Sequence, residues 1–294
     1  EVSSQLDPEF VEDLLHAPQL TEHDLQSQQH RVKELQTKLA DMEQTPAVRD
    51  LMSVADHLLR RSVWIIGGDG WAYDIGSSGV DHVLASGRDV NVLVLDTEVY
   101  SNTGGQASKS TPLGAVAKFA SAGKPTAKKD MALQAIAYGS VYVARVALGA
   151  DPQQTLRAFR EAEAYPGPSL IIAYSHCIAH GYDLRNGLDQ QYKAVHCGHW
   201  PLMRYNPVLA DEGRNPFLLD SPKPDETWRE YTKLELRYRM LQKAHPEEAE
   251  RLLDLGQRQV ERRYAEYAEM ASRTAENFAV DARMSEFAAS SNRA

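Results

Sequence analysis

Two short apolar runs of the chain each end abruptly in a polar, glycine-bearing loop. The run 63–66 is followed by Asp69, and the run 90–95 is followed by Thr97 and Asn102. Because a helical pattern separates the two runs, we predict parallel strands of one sheet, and such sheets bind ligands at the carboxyl ends of their strands. Both loops should therefore face one site. Their carboxylate, hydroxyl and amide oxygens suit a hard cation that bridges a diphosphate.

The two loops resemble the thiamine diphosphate (TPP) motif, in which Gly-Asp-Gly is followed, beyond the next strand, by Asn. Gly68-Asp69-Gly70 matches its first half, whereas Thr97 stands where most members carry a metal-binding Asn. The whole segment is similar to one branch in particular, the pyruvate:ferredoxin (flavodoxin) oxidoreductases. The similarity continues through the segments 110–120, 128–130, 174–182 and 198–202.

This resemblance implies roles for the loop residues. Asp69, the Thr97 hydroxyl and the Val99 carbonyl would hold Mg²⁺, which neutralises the cofactor diphosphate. Asn102 would lie over the diphosphate and reach toward the substrate, as the catalytic residue of this chain. The cofactor-binding residues implied are Gly68, Asp69, Gly70, Trp71, Thr97, Asn102 and Thr103.

Structural interpretations of the same residues remain open at this point. Asp69 could simply cap the helix that follows it, and Asn102 and Thr103 could shape a turn with the two glycines after them. The glycines at 67, 68 and 70 do not fit Gly-x-Gly-x-x-Gly, and no P-loop sequence occurs. The sequence therefore lacks the motifs that would indicate a nicotinamide site or a P-loop nucleotide site.

Cys177 follows the apolar run 169–174, whose end should reach the same sheet edge as Asp69. Isolated cysteines are commonly small buried hydrophobic residues. The resemblance implies instead that Cys177 is the fourth ligand of a four-iron four-sulfur cluster. Because such a cluster needs four thiolates and Cys197 has no matching role, the other three would come from outside this chain.

Four histidines follow the same run, and their spacing matches no zinc-site pattern, which favours loop histidines with local partners. They are His176, His180, His196 and His199.

The resemblance implies oxidative decarboxylation of pyruvate with CoA, giving acetyl-CoA, CO₂ and a reduced ferredoxin or flavodoxin. The chain would be the C-terminal, TPP-binding part, as a piece of a larger polypeptide or as one subunit. Its partners would be the remaining domains of a homo-oligomeric enzyme. The general base that activates TPP is expected in another domain, so the chain alone should be inactive.

Two alternatives stay open. One is a different 2-oxoacid, such as 2-oxoglutarate. The other is a structural subunit without activity, which the loss of Asp69 or Asn102 would favour; both residues are present.

Composition narrows the class of protein. The net charge of −9 over 294 residues argues against nucleic-acid binding, since phosphate contacts need a basic surface. No apolar stretch approaches the length of a membrane span. Two cysteines are too few for a disulfide scaffold and are compatible with a reducing compartment. We therefore expect a cytoplasmic protein without membrane contact.

The elements that must position these residues predict an α/β fold. We expect a parallel twisted sheet with helices on both faces, the TPP-binding fold, with N- and C-terminal helical extensions. Near-continuous apolar runs predict strands that are buried on both faces, at 63–66, 90–95, 141–147 and 169–174. Helical patterns cover 21–42, 46–60, 72–86, 114–121, 130–139, 152–164 and 225–277.

Three regions follow from this pattern. They are an N-terminal lead-in with helices (1–61), the TPP-binding α/β domain (62–221) and a C-terminal helical extension (222–294). Residues 175–221 are rich in His, Gly, Asn and Pro and are predicted to be irregular. The C-terminal helices should pack on the sheet domain or on a neighbouring domain without a catalytic role. The last five residues should be disordered.

Overall fold

The computed structural model of the protein describes residues 2–19 and 21–274. The chain divides into two compact units, Glu1–Ser62 and Val63–Ala294. Each unit has buried apolar residues of its own. The candidate site residues all belong to the second unit.

The first unit is helical. Its α-helices are α1 Pro8–His16, α2 Glu22–Asp41 and α3 Pro46–Val54. The predicted start of α2 is confirmed, because Thr21 and Asp24 form a reciprocal capping box with N···O distances of 2.9 and 3.1 Å. The third helix ends earlier than predicted and continues as a 3₁₀ turn, Ala55–Leu58.

The second unit is built on a six-stranded sheet with the order β1-β2-β4-β3-β5-β6. Its strands are β1 Trp64–Gly68, β2 Asn91–Asp96, β3 Tyr142–Val146, β4 Ser169–Tyr174, β5 Met203–Tyr205 and β6 Phe217–Leu219. The first four are parallel, as predicted. In the register, Gly68 pairs with Leu95 and Asp96 pairs with Tyr174, so the three strand ends lie side by side.

Helices cover both faces of this sheet. They are α4 Ser77–Ala85, α5 Met131–Ile136, α6 Pro152–Ala164, α7 Gly187–His196, α8 Pro207–Asp211, α9 Trp228–Thr232, α10 Leu236–Ala244 and α11 Pro246–Ser272. Alternate residues of β3 point to opposite faces. Tyr142 and Ala144 pack with α6, whereas Val143 joins a larger core that includes α4, α5 and residues of α9–α11. The α/β class is confirmed.

Two predictions about elements were wrong. Residues 175–221 are not wholly irregular, because they contain α7, α8 and the antiparallel strands β5 and β6, which make the sheet mixed. Strands of three residues are too short to produce a recognisable hydrophobic pattern. The predicted helix 114–121 is a loop, in which Gly114 and Phe119 have φ values of +76° and +67° that a right-handed helix excludes.

The C-terminal helices pack on the sheet, as expected. Trp228, Tyr231 and Val260 are buried in the same core as the strands. Residues 275–277 of the predicted helix and the last five residues lie outside the described part of the chain. None of the helices in residues 2–19 and 21–274 has the length and apolar character needed to cross a membrane.

Candidate cofactor and metal site

Asp69 is the first residue after β1, and its side chain is buried, with only 1% of the residue exposed. Its Oδ1 atom accepts hydrogen bonds from the Thr97 backbone N–H (3.2 Å) and the Thr97 hydroxyl (2.9 Å). Its Oδ2 atom accepts from the Ser108 hydroxyl at 2.8 Å. The side chain makes no capping bond to the helical turn that follows. The helix-cap interpretation is therefore wrong.

Three oxygen atoms converge where the two loops meet. The Thr97 hydroxyl oxygen lies 2.9 Å from Asp69 Oδ1 and 2.9 Å from the Val99 carbonyl oxygen. A hydroxyl carries a single hydrogen, so it cannot fully satisfy both acceptors. A cation would satisfy all three oxygens, and a carboxylate, a hydroxyl and a carbonyl are hard donors that Mg²⁺ accepts together with phosphate. The residues present therefore fit a magnesium ion.

The electrostatics of Asp69 agree with this fit. Burial, followed by the nearby charge of Asp96, raises the pKa of Asp69 to about 7, although hydrogen bonds from Ser108 and Thr97 act in the opposite direction. A bound divalent cation would keep this carboxylate ionised. Within the described ranges, no group of three or more His, Cys, Asp and Glu side chains could hold a metal. A metal at Asp69 therefore depends on the hydroxyl and the carbonyl.

The loop that carries Thr97 and Val99 turns sharply between them. Glu98 has a φ of +60°, a left-handed conformation that costs a residue with a side chain about 1–3 kcal/mol. Its carboxylate is fully buried and accepts from Lys128 Nζ (3.1 Å), His199 Nε2 (3.0 Å) and Arg237 Nη2 (2.7 Å). Burial alone would raise the pKa of Glu98, but these three groups hold it well below its usual range.

Asp96 at the end of β2 is part of the same buried network. It accepts from Tyr73 Oη (2.8 Å), Ser110 Oγ (2.5 Å) and Lys128 Nζ (2.8 Å). Lys128 thus bridges Asp96 and Glu98. Hydrogen bonds and ion pairs of this kind offset the cost of burying two carboxylates.

Sequence reasoning missed several of these groups. Ser110 and Lys128 lie in segments that matched the family, but no role was predicted for them. Two acidic residues, Asp96 and Glu98, at the end of a buried strand were a signal that buried cations must lie nearby. Arg237 gave no local signal, because 139 positions separate it from Glu98.

Asn102 and Thr103 lie on an exposed turn and not among the converging oxygens. The Thr103 hydroxyl donates to Gln106 Oε1 at 2.6 Å, and Gln106 Nε2 donates back to the Thr103 carbonyl at 2.9 Å. Gly104 and Gly105 have φ values of +100° and +90°. Thr103 therefore shapes the turn, whereas the exposed Asn102 side chain is accessible to a ligand.

Packing explains why glycine is needed at most positions of the first loop. A Cβ at Gly70 would lie 2.4 Å from the Tyr100 ring, whose hydroxyl donates to the Gly70 carbonyl at 3.1 Å. Trp71 occupies the space that side chains at positions 67 and 76 would need. Only Gly68 of the predicted set has room, because its nearest neighbour would be the Leu95 carbonyl at 4.0 Å.

Cys177 lies just beyond β4 and is 8% exposed. Its sulfur accepts from the Ala179 N–H at 3.4 Å and caps the 3₁₀ turn Ile178–His180. The turn contacts the loop that follows β2, because His180 Nε2 lies 2.8 Å from the Thr97 carbonyl. Burial, followed by the charge of Arg237, lowers the pKa of His180 to about 4, so the neutral ring donates this bond.

The two cysteines do not fit an iron–sulfur cluster by themselves. They are both free, and Cys197 is a buried thiol that donates to the Ala194 carbonyl at 3.4 Å. Burial raises the pKa of Cys197 to about 12, which disfavours the thiolate that iron requires. A cluster at Cys177 would need three further thiolates.

The four histidines have separate partners. His176 contacts Gln191 at 3.3 Å, and His196 contacts Asp225 at 2.9 Å. The other two contact the Thr97 carbonyl and Glu98, as described above. Within the described part of the chain they do not gather at one point, which gives a zinc site no support.

The chain is similar to several known proteins. Residues 51–173 match the model of the thiamine pyrophosphate enzyme C-terminal TPP-binding domain. A pyruvate-flavodoxin oxidoreductase of Nostoc sp. is 52% identical over 276 residues, covering 92% of this chain and 23% of that protein. The pyruvate:ferredoxin oxidoreductase of Moorella thermoacetica is 55% identical over 222 residues, covering 76% of this chain and 19% of that protein.

Another pyruvate-flavodoxin oxidoreductase, from Klebsiella pneumoniae, is 53% identical over 234 residues, which cover 79% of this chain and 20% of that protein. A solved structure of 2-oxoglutarate:ferredoxin oxidoreductase from Magnetococcus marinus gives a TM-score of 0.37 at 24% identity, over 39% of this chain and 40% of that chain. This likeness is too limited to bear on fold or function. The chain spans less than a quarter of the length of these curated relatives. Over most of its length the chain corresponds to the TPP-binding region of pyruvate-flavodoxin and pyruvate:ferredoxin oxidoreductases.

Proposed function

We propose that this chain binds Mg²⁺ through Asp69, Thr97 and Val99 and thereby anchors the diphosphate of TPP. In this proposal the complete protein oxidatively decarboxylates pyruvate with CoA and passes the electrons to ferredoxin or flavodoxin. The observation that carries it is the convergence of three oxygens that share one hydroxyl hydrogen. The names of the relatives favour pyruvate over 2-oxoglutarate, and the retained Asp69 and Asn102 argue against a structural subunit.

In this proposal each residue has its own role in binding the metal or the cofactor. Asp69 supplies the negative charge that attracts the metal, and the Thr97 and Val99 oxygens fix its position. Asn102, on its exposed turn, would position the cofactor and the substrate. Bound TPP supplies the chemistry that releases CO₂ from a 2-oxoacid. The CoA, the carrier and the general base would be bound or supplied outside this chain.

The cluster is a separate part of the proposal. Cys177 would provide one of four thiolates only if the other three come from elsewhere in the complete protein. This chain has only two cysteines, Cys177 and Cys197, so it cannot build the cluster without them. A location in the cytoplasm and a homo-oligomeric complete enzyme are likewise proposed on the family resemblance.

Calorimetric titration of the complete protein with TPP, at fixed Mg²⁺, tests the cofactor site. Asp69→Ala removes the charged ligand and should weaken Mg²⁺-dependent TPP binding at least about tenfold, or ~1.4 kcal/mol. Asp81→Ala removes an exposed carboxylate of α4 and is the control. Unchanged affinity in the Asp69 variant would overturn the proposed site.

A further inference from the structure

The proposed metal-binding loop depends on the backbone conformation of Glu98. This residue separates Thr97 from Val99, and its φ of +60° folds the chain back so that the Thr97 hydroxyl reaches the Val99 carbonyl at 2.9 Å. Residues other than glycine adopt this conformation at a cost. Something in the surrounding structure must therefore hold Glu98 in place.

The Glu98 carboxylate is held from three directions. Lys128 lies in the segment before α5, His199 follows α7, and Arg237 belongs to α10. The Glu98 backbone is fixed as well, because its N–H donates to Asp96 Oδ1 at 3.0 Å and its carbonyl accepts from Thr111 Oγ1 at 2.7 Å. Both ends of the residue are thus anchored in the buried interior.

Arg237 is itself rigidly placed. Its Nε atom donates to Glu235 at 2.5 Å, and its guanidinium carbon lies 5.1 Å from the centre of the Tyr238 ring. Its backbone carbonyl accepts from the Val116 N–H at 2.9 Å. The residue is 4% exposed. A rigid, buried guanidinium that uses one nitrogen for Glu98 is suited to fix the direction of that carboxylate.

We propose that Arg237 is a positioning residue for the metal site, which acts through Glu98 to hold the turn that aims Thr97 and Val99 at Asp69. This inference rests on the proposed function, because it concerns the same magnesium site. It gives the C-terminal helices, which were expected to have no catalytic role, a part in cofactor binding. The Arg237 side chain touches neither metal nor cofactor in this proposal.

A matched pair of variants separates positioning from simple stabilisation of the fold. Glu98→Gly and Glu98→Ala both remove the carboxylate and leave the same three basic groups without it. They differ in the backbone, since glycine adopts a positive φ freely and alanine does not. We therefore expect the alanine variant to need at least about fivefold more Mg²⁺ than the glycine variant for half-maximal TPP binding. This difference in Mg²⁺ requirement should persist at temperatures where both variants are folded, so that unfolding does not explain it.

Arg237→Met tests the contact between Arg237 and Glu98 directly. Methionine keeps a long side chain but cannot donate hydrogen bonds to Glu98 or Glu235. Mg²⁺ titration of the complete protein should show a higher half-saturation for this variant, whereas saturating Mg²⁺ should restore most TPP binding. Arg229→Gln removes two ion pairs of α9 with α11, at 2.7 Å each, and is the control that should leave the titration unchanged.

Hydrogen exchange of the metal-free protein gives an independent readout. The amide of Glu98 should exchange faster in Arg237→Met, while amides of β4 should not.

The outcomes distinguish this inference from the proposed function. If Asp69→Ala leaves TPP binding unchanged, the metal site itself is wrong. If Asp69→Ala weakens binding but Glu98→Ala and Glu98→Gly have equal Mg²⁺ requirements, the site stands and the positioning role is wrong. An unchanged Glu98 amide exchange rate in Arg237→Met would also overturn the positioning role, even if that variant is less stable.

Discussion

Asp69 is a buried carboxylate that hydroxyl and amide groups surround without a direct cationic partner among the described residues. Lys128 is a buried cation whose charge acts on Asp69, but it bonds to Asp96 and Glu98 instead. The neighbouring acids are therefore compensated within the chain, whereas Asp69 receives hydrogen bonds from Thr97 and Ser108. This unequal compensation is what a cation-binding carboxylate requires, because a permanent internal cation would compete with the metal.

Asp69→Asn should stabilise the metal-free protein while it weakens Mg²⁺-dependent TPP binding. Burial raises the pKa of Asp69 from 3.8 to about 7, so between these values the native state binds more protons than the unfolded state. Stability should then fall as the pH rises from about 4 through 7, and this loss should be absent in the variant. At pH 8 the difference should be at least about 1 kcal/mol in favour of the variant.

Thermal melts in the presence of a chelator, between pH 5 and 8, measure this difference, with Asp81→Asn as the control. If the variant were less stable than the wild type at pH 8, the Asp69 carboxylate would be a stabilising part of the fold and not a strained ligand.

At the scale of residues, a local motif was enough to single out Asp69, Thr97 and Val99, and the structure brings their oxygens together. Their role as metal ligands stays a prediction. It did not predict Ser108, Glu98 or Arg237. Their contacts join segments that are distant in the chain, and no short-range pattern reports such contacts.

The two loops are held together by packing between elements as well as by polar contacts. Gly70 begins the helical turn after β1, a short π-helix Gly70–Ile75, and the Tyr100 ring lies against it. The neighbouring Gly68 has open space, so the two glycines of one motif differ in their structural requirement.

Gly70→Ala should therefore destabilise the metal-free protein by about 1–3 kcal/mol, because its Cβ must displace a ring that is 2.4 Å away. Gly68→Ala, two positions earlier, should change the stability by less than about 0.5 kcal/mol. Chemical denaturation of both variants measures the free energy of unfolding. Equal losses would show that the contact between Gly70 and Tyr100 does not govern the loop.

Elements were predicted well where their pattern was long or strongly apolar. The parallel strands β1 to β4, and α2 and α6, each carry such a pattern. The strands β5 and β6 contain three residues each. They join the sheet through distant partners, because β5 pairs with β3 and β6 pairs with β5. The apolar residues within 114–121 produced a false helix, because their spacing resembles a helical one although Gly114 adopts a positive φ.

For the whole molecule, the main feature is that distant segments meet behind the proposed metal-binding loop. Residues from β2, the segment before α5, the segment after α7 and α10 share one buried polar network. The turn that carries Cys177 contacts the same loop through His180. Any cluster bound at Cys177 would therefore lie beside the proposed cofactor site, although this chain supplies too few thiolates to build it.

Cys177→Ala in the complete protein should lower the iron content by about the four atoms of one cluster. It should also slow the reduction of the electron carrier. Cys197→Ala should leave the iron content unchanged, because Cys197 is a buried thiol with its own backbone acceptor. The 294-residue chain expressed alone should be colourless, since one thiolate cannot retain a cluster. Iron and sulfide assays with visible spectra decide the matter: wild-type iron content in the Cys177 variant would show that this cysteine is merely packed.

The most direct test of the magnesium site is an experimental structure of the complete protein with TPP and Mn²⁺, in which anomalous scattering locates the metal. We expect the metal within about 2.0–2.3 Å of a carboxylate oxygen of Asp69, the Thr97 hydroxyl and the Val99 carbonyl, with diphosphate oxygens completing its coordination. A metal peak that lies away from these three atoms, or a cofactor bound without contact to them, would contradict the account.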